Sequence, residues 1–253
     1  MALPQIQLPK YKIQMLTQNK EIYIRPFTVK EEKILLMATE GNQTDMAIAL
    51  LQIIENCVIG DIDVESLDFF EAMYLFMNIK KISTSEEIEV MIRDDEDENI
   101  KYEAVCNLNE DMIVRRLDEY LNSDKNKTNV IQLEGNDIYI KIKPISFKDY
   151  LKLMKMSDSI KDDEKGKDVK LLYTALILTI KEIYDNENVY NPEEYTLEEL
   201  SKFYDDITFK DKDKIKKIYE NLPTIGLKFH YIDKNGESKE KVIDDIKTDF
   251  LAS

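Results

Sequence analysis

Apolar and polar residues alternate through Ile22-Tyr23-Ile24-Arg25, a pattern that predicts a half-buried strand. Pro26 then removes a backbone donor and ends the ladder. Thr28 follows as a helix cap, with Glu31 three positions on in capping-box spacing, ahead of Ile34-Leu35-Leu36-Met37. The same order recurs in the second half: Ile140-Lys141-Ile142-Lys143, Pro144, Ser146, Asp149, then Leu151-Lys152-Leu153-Met154. Superposing Pro26 on Pro144 pairs Ile22 with Ile140, Ile24 with Ile142, Thr28 with Ser146, Lys30 with Lys148 and Glu31 with Asp149. Asp149 is a shorter and poorer capping-box partner than Glu31. Each cap is expected to contribute about 1 kcal/mol.

Later segments correspond in outline. Met46 to Val58 reads as a helix, with a counterpart from Val169 to Tyr184. Asp63 to Leu67 and Tyr195 to Leu200 each open a further helix with acids in its first turn. The first of these helices continues through Phe69, Phe70, Met73, Tyr74, Phe76 and Met77. The second continues through Phe203 and Tyr204, with another helix from Lys212 to Asn221. Each half then closes on a hairpin: Glu87–Ile92 with Ile100–Val105, and Leu227–Ile232 with Lys239–Ile243. Asn235-Gly236 between the second pair of strands is a strong turn signal. The polar stretch Asn122 to Thr128 reads as the joint. The expectation is an α+β chain of two tandem, weakly repeated units, residues 1–122 and 123–253.

The chain has 253 residues, enough to bury a substantial core. It is 43% hydrophobic and 34% charged, which suits a globular protein with a heavily charged surface. Its formal charge of -16 argues against a nucleic-acid binder, which needs clustered cations, and against docking on an anionic membrane. The longest strongly apolar stretch, Leu171 to Ile180, is too short to span a bilayer and reads as a buried helix. No basic, then apolar, secretory pattern opens the sequence. With Cys57 and Cys106 as the sole cysteines, a reducing cytoplasm is the expected setting, and a bridge between the two is left open.

Chemistry is sparse. One histidine, His230, and two cysteines cannot assemble the usual zinc sites. The six glycines form no phosphate loop and no dinucleotide fingerprint. Asp61-Ile62-Asp63-Val64-Glu65 begins like a calcium loop, but Ser66 and Ala72 occupy the positions that need glycine and glutamate. Asp94-Asp95-Glu96-Asp97-Glu98 reads as a solvated hairpin tip. His230 reads as a strand residue, packed or exposed, and Cys57 as a small buried hydrophobe. With 51 acidic residues, carboxylate pairs will fall within catalytic reach by chance, so spacing alone diagnoses none. No catalytic residue, metal ligand or cofactor is expected. Interface or structural roles fall to Arg25, Pro26, Phe27 and Lys30 at the first junction and to Phe69, Phe70 and Tyr74, whose helix is apolar on more than one face. Arg25 and Lys30 are expected to pair with acids of a neighbour.

Leu8-Pro9-Lys10-Tyr11 and the ungapped run Tyr23-Ile24-Arg25-Pro26-Phe27-Thr28-Val29-Lys30-Glu31-Glu32-Lys33 resemble the baseplate hub family of T-even-type contractile-tail phages. Asn56-Cys57-Val58 and Asp68-Phe69-Phe70-Glu71-Ala72-Met73-Tyr74 extend the resemblance, which is strongest over residues 1–85. The resemblance implies a non-enzymatic tail protein, a baseplate hub subunit or hub-assembly factor. Its partners would be other phage tail or baseplate proteins, with neither nucleic acid nor membrane. Its location would be the host cytoplasm during assembly and the virion tail baseplate. The alternatives are a tail-assembly chaperone that binds a tape-measure or other tail protein and, with least support, a peptidoglycan hydrolase using a carboxylate pair.

Overall fold

The computed structural model describes residues 3–94, 97, 99–161 and 165–244. Asp95, Glu96 and Glu98 of the acidic run lie outside the described residues. The chain is α+β and divides into two units, one of residues 1–115 with 224–253 and one of residues 116–223.

In the first unit a hairpin of β1 (Tyr11–Gln14) and β2 (Glu21–Ile24) leads into α1 (Val29–Thr39) and α2 (Gln43–Cys57). α2 runs directly into β3 (Val58–Ile59), which pairs antiparallel with β2, giving the sheet order β1-β2-β3. α3 (Phe69–Ser83) follows, and nearly every residue from Phe70 to Lys80 is buried. It packs against α2, whose Leu50 and Ile54 are fully buried. Next come β4 (Glu87–Arg93), β5 (Lys101–Asn107) and β6 (Met112–Arg115).

The second unit opens on short helices α4 (Leu117–Leu121) and α5 (Ser123–Asn126), then a hairpin of β7 (Val130–Gln132) and β8 (Tyr139–Ile142). Helices α6 (Phe147–Ser159) and α7 (Lys167–Leu178) lead to β9 (Ile180–Tyr184), which pairs antiparallel with β8. β10 (Val189–Tyr190) completes the sheet order β10-β9-β8-β7. α8 (Leu197–Asp205) and α9 (Phe209–Glu220) cover the core face, where Ile131, Ile140, Ile183, Leu200 and Ile215 cluster.

The stretch from Val169 to Tyr184, expected as one helix, ends helical geometry at Leu178 and continues as a strand. Thr179 terminates it, and β-branched Ile180 and Ile183 are buried on the sheet's core face. Pairing with β8 outweighs the local helical pattern. α2 and α7 thus end alike. The Arg25 N–H donates to the Cys57 carbonyl at 2.9 Å, and the Lys143 N–H donates to the Thr179 carbonyl at 2.8 Å.

The C-terminal hairpin, β11 (Thr224–Ile232) with β12 (Ser238–Ile243), falls differently from the expected 122/123 division. β11 pairs with both β5 and β6, so both expected closing hairpins share one five-stranded sheet in the first unit. Burial explains this. Leu227 and Phe229 of β11 and Ile88 and Cys106 of the earlier hairpin are almost fully enclosed, and their apolar faces need one another. The polar stretch 122–128, expected as a joint, lies inside the second unit and forms α5 in part. At the β11–β12 turn Gly236 adopts φ +78, a left-handed conformation that favours glycine.

Candidate protein-contact surface

The junction between β2 and α1 is built around one buried carboxylate. Thr28 caps α1, and Glu31 reaches back to accept from the Thr28 N–H at 2.8 Å and its hydroxyl at 2.7 Å. The other Glu31 oxygen accepts from Arg25 Nη2 at 3.1 Å. Arg25 Nη1 also donates to the Pro26 carbonyl at 2.9 Å. The Glu31 side chain is 1% exposed. Burial alone would raise its pKa, but the Arg25 ion pair and the Thr28 donors outweigh burial and lower it to about 2. At the second junction Ser146 caps α6 at 3.1 Å, and Asp149 accepts from the Ser146 hydroxyl at 2.8 Å. The shorter side chain takes the hydroxyl where Glu31 also takes the backbone N–H.

Arg25, expected to pair with an acid of a neighbour, is paired within its own chain. Pro26 and Phe27 are half-buried, and the Phe27 N–H donates to Ser83 Oγ at 2.9 Å. Lys30 is exposed. Phe70 belongs to the core at 5% exposed, while Phe69 and Tyr74 are half-buried on α3. The structure thus gathers Arg25, Pro26 and Phe27 at one junction and places the α3 aromatics largely inward.

What remains outward was not singled out by sequence reasoning. Val29, Leu36 and Met37 on α1 are exposed, Met37 by 76%. Val29 and Leu36 are two turns apart on one stripe, and Met37 lies beside it. Leu3 and Ile6, in the segment before β1, are exposed by 91% and 87%. The signal was present in the sequence. Ile34-Leu35-Leu36-Met37-Ala38 is apolar around the whole helix, and a packed helix needs only one apolar stripe. Leu35 and Ala38 fill that stripe here.

Two further carboxylates hold loops in place, and sequence reasoning missed both. Glu71 of α3 is 1% exposed and accepts from the Leu16 N–H at 2.6 Å, the Thr17 N–H at 2.9 Å and the Thr17 hydroxyl, pinning the β1–β2 turn. Asp211 of α9 is equally buried and accepts from the Glu134 N–H at 2.9 Å, the Thr208 hydroxyl at 2.9 Å and Lys214 Nζ at 2.6 Å. No sequence spacing links Glu71 to Thr17 or Asp211 to Glu134, because the partners meet only through the fold.

His230 Nε2 lies 2.9 Å from Asp111 Oδ1, and Nδ1 lies 3.4 Å from Glu240 Oε1. Burial would raise the Asp111 pKa, but the bonds from His230 and the Asn107 N–H outweigh it and leave it lowered. The ring lies between the two carboxylates, with its hydrogen bond to Asp111, an arrangement that braces the C-terminal hairpin. Cys57 and Cys106 are free thiols, fully buried, and burial pushes them up to about 11 and about 12. Among the described residues no three His, Cys, Asp or Glu side chains gather as a metal site, and no helix is long and apolar enough to cross a membrane.

These features define an α+β protein whose Arg25 and Glu31 are paired with each other and whose surplus apolar side chains on α1 face outward. The chain belongs to the T4 bacteriophage base plate protein family, whose model matches residues 8–251. No curated protein and no solved structure matches it. The family carries a structural role in the phage baseplate and, with it, interaction with other baseplate proteins.

Proposed function

We propose that this chain serves the hub of the baseplate, as a resident subunit or as a hub-assembly factor, and acts through protein–protein contacts without catalysis. The observation that carries the reading is the outward apolar face of α1, Val29, Leu36 and Met37, together with the exposed Leu3 and Ile6 of the segment before β1. Large apolar side chains grouped on a soluble surface mark contact sites. The family membership supplies the kind of partner, another baseplate protein.

Quantitative mass spectrometry of purified tails tests the reading and separates its two forms. A fixed stoichiometric copy number means a resident subunit. Presence in baseplate intermediates with loss from finished tails means an assembly factor. Failure to co-purify with any baseplate protein at either stage would overturn both.

A further inference from the structure

The four-stranded sheet of the second unit turns Ile131, Ile140 and Ile183 into the core. Side chains alternate along strands, so their neighbours occupy the opposite face. There the register sets Tyr139 across from Tyr184, with Val189 beyond, and Lys141 across from Glu182. The two tyrosine rings stack at 5.2 Å. This face forms a wall of a cleft of about 290 Å³ that Asp124, Lys127 and Asn129 also line.

The polar groups of the cleft are unevenly satisfied. Lys141 Nζ is held by Asp124 at 3.0 Å. Asn129 is 4% exposed, and its amide donates to Asp124 and to the Ile142 carbonyl, but its Oδ1 has no hydrogen-bond partner. Glu182 makes no ion pair among the described residues. Residues 182–194, the stretch of β9, β10 and the turn after them, hold five Asp or Glu and neither Lys nor Arg, while Val189 and Tyr190 among them are exposed. The surface therefore offers acceptors and apolar area together.

We propose that this face binds a basic, apolar segment of another baseplate protein, with an arginine or lysine side chain entering the cleft toward Glu182 and Asn129. A guanidinium supplies donors for both acceptors and a flat face for Tyr184. Apolar neighbours in the segment cover Val189, which matters because Lys127 and the paired Lys141 disfavour a cation that arrives without such an anchor. The inference rests on the protein-contact reading above. Its test is a binding measurement on the isolated full chain, so its failure is distinct from absence in tails.

Two fluorescent twelve-residue peptides serve as probes, one alternating arginine with leucine and one alternating arginine with glycine. At a formal charge of -16 any cationic peptide will be attracted, so localisation decides the matter. The expected results are these. The leucine peptide binds at least tenfold more tightly than the glycine peptide, and Val189→Ser removes most of that difference. The triple variant Glu182→Gln, Glu187→Gln, Glu193→Gln weakens binding at least tenfold. The charge-matched control Asp61→Asn, Asp63→Asn, Glu65→Gln weakens it less than threefold. Equal losses in both triple variants, or equal binding of the two peptides, would overturn the proposal and leave only diffuse attraction to an acidic surface.

Discussion

Glu31→Gln isolates the electrostatic part of the first strand–helix junction. The folded carboxyl sits at about 2 against an ordinary 4.5. At about 1.4 kcal/mol per unit, that difference is worth about 3 kcal/mol of stability at neutral pH. A carboxyl whose folded pKa is lowered stabilises fully above its unfolded pKa, and the contribution fades as pH falls toward the folded one. Between pH 7 and pH 3 about 2 kcal/mol of it should disappear. Other carboxylates also titrate in that range, so the informative quantity is the gap between wild type and variant, in which independent sites cancel. The sequence has no tryptophan, so urea unfolding followed by far-UV circular dichroism is the suitable assay. The expected gap is about 3 kcal/mol at pH 7 and about 1 kcal/mol at pH 3. Arg25→Gln should cost at least as much at pH 7, because it leaves the carboxylate buried without its cation. A gap independent of pH would refute the ionised, Arg25-paired Glu31.

Other outcomes follow from the same geometry. Glu71→Ala should cost about 2–3 kcal/mol in urea unfolding, since it strips the acceptor from two backbone N–H groups and one hydroxyl; the Leu16 and Thr17 amides should then exchange faster by NMR. Cys57 and Cys106 should resist Ellman's reagent in the folded protein at pH 8 and both react in urea, because burial keeps them as thiols; rapid reaction of either without denaturant would contradict its burial. Leu36→Glu with Met37→Glu should leave folding stability within about 0.5 kcal/mol, since both side chains are exposed, while reducing incorporation into tails or tail intermediates.

Much of the local structure was legible in the sequence, for a physical reason. Strand alternation, a proline stop and a Thr or Ser cap are written within ten residues of one another, and they set β2–α1 and β8–α6 as read. Even the weaker fit of Asp149 as a capping-box partner shows in the geometry, where it accepts from the Ser146 hydroxyl but not from the Ser146 backbone N–H. The hairpins were legible for the same reason, with β4–β5 and β11–β12 pairing as their alternation predicts. Partner choice between distant elements was not. Nothing in Thr224–Ile232 says that it will lie beside β5 and β6 of the first half, because any apolar strand face would satisfy it. The ends of α2 and α7 were misread because Val58 and Ile180 suit helix and strand alike, and only the β2 and β8 edges decide between them.

The candidate surface was legible in part. Residues 25–31 stand out in the sequence, but sequence could not show that Arg25 is spent on Glu31 inside the chain. That internal pairing bears on the carboxylate-pair alternative as well. A general acid needs a carboxyl held above its ordinary pKa so that it carries a proton at neutral pH. Glu31, Asp111 and Asp211 are instead lowered, each by donors that outweigh burial. Glu55, raised by desolvation and by the nearby Glu65 and Asp63, is exposed on α2. Buried carboxylates surrounded by backbone N–H groups, hydroxyls, Arg25 and Lys214 are acceptors at work in the fold, with their oxygens already occupied. In a chain of 51 acids against 35 bases the buried acids tie loops to helices, and the exposed ones set the field that a basic partner would meet. On the contact reading proposed above, charge gives the order in which contact should occur: attraction over the acidic surface first, then burial of apolar side chains such as Val189 or Met37.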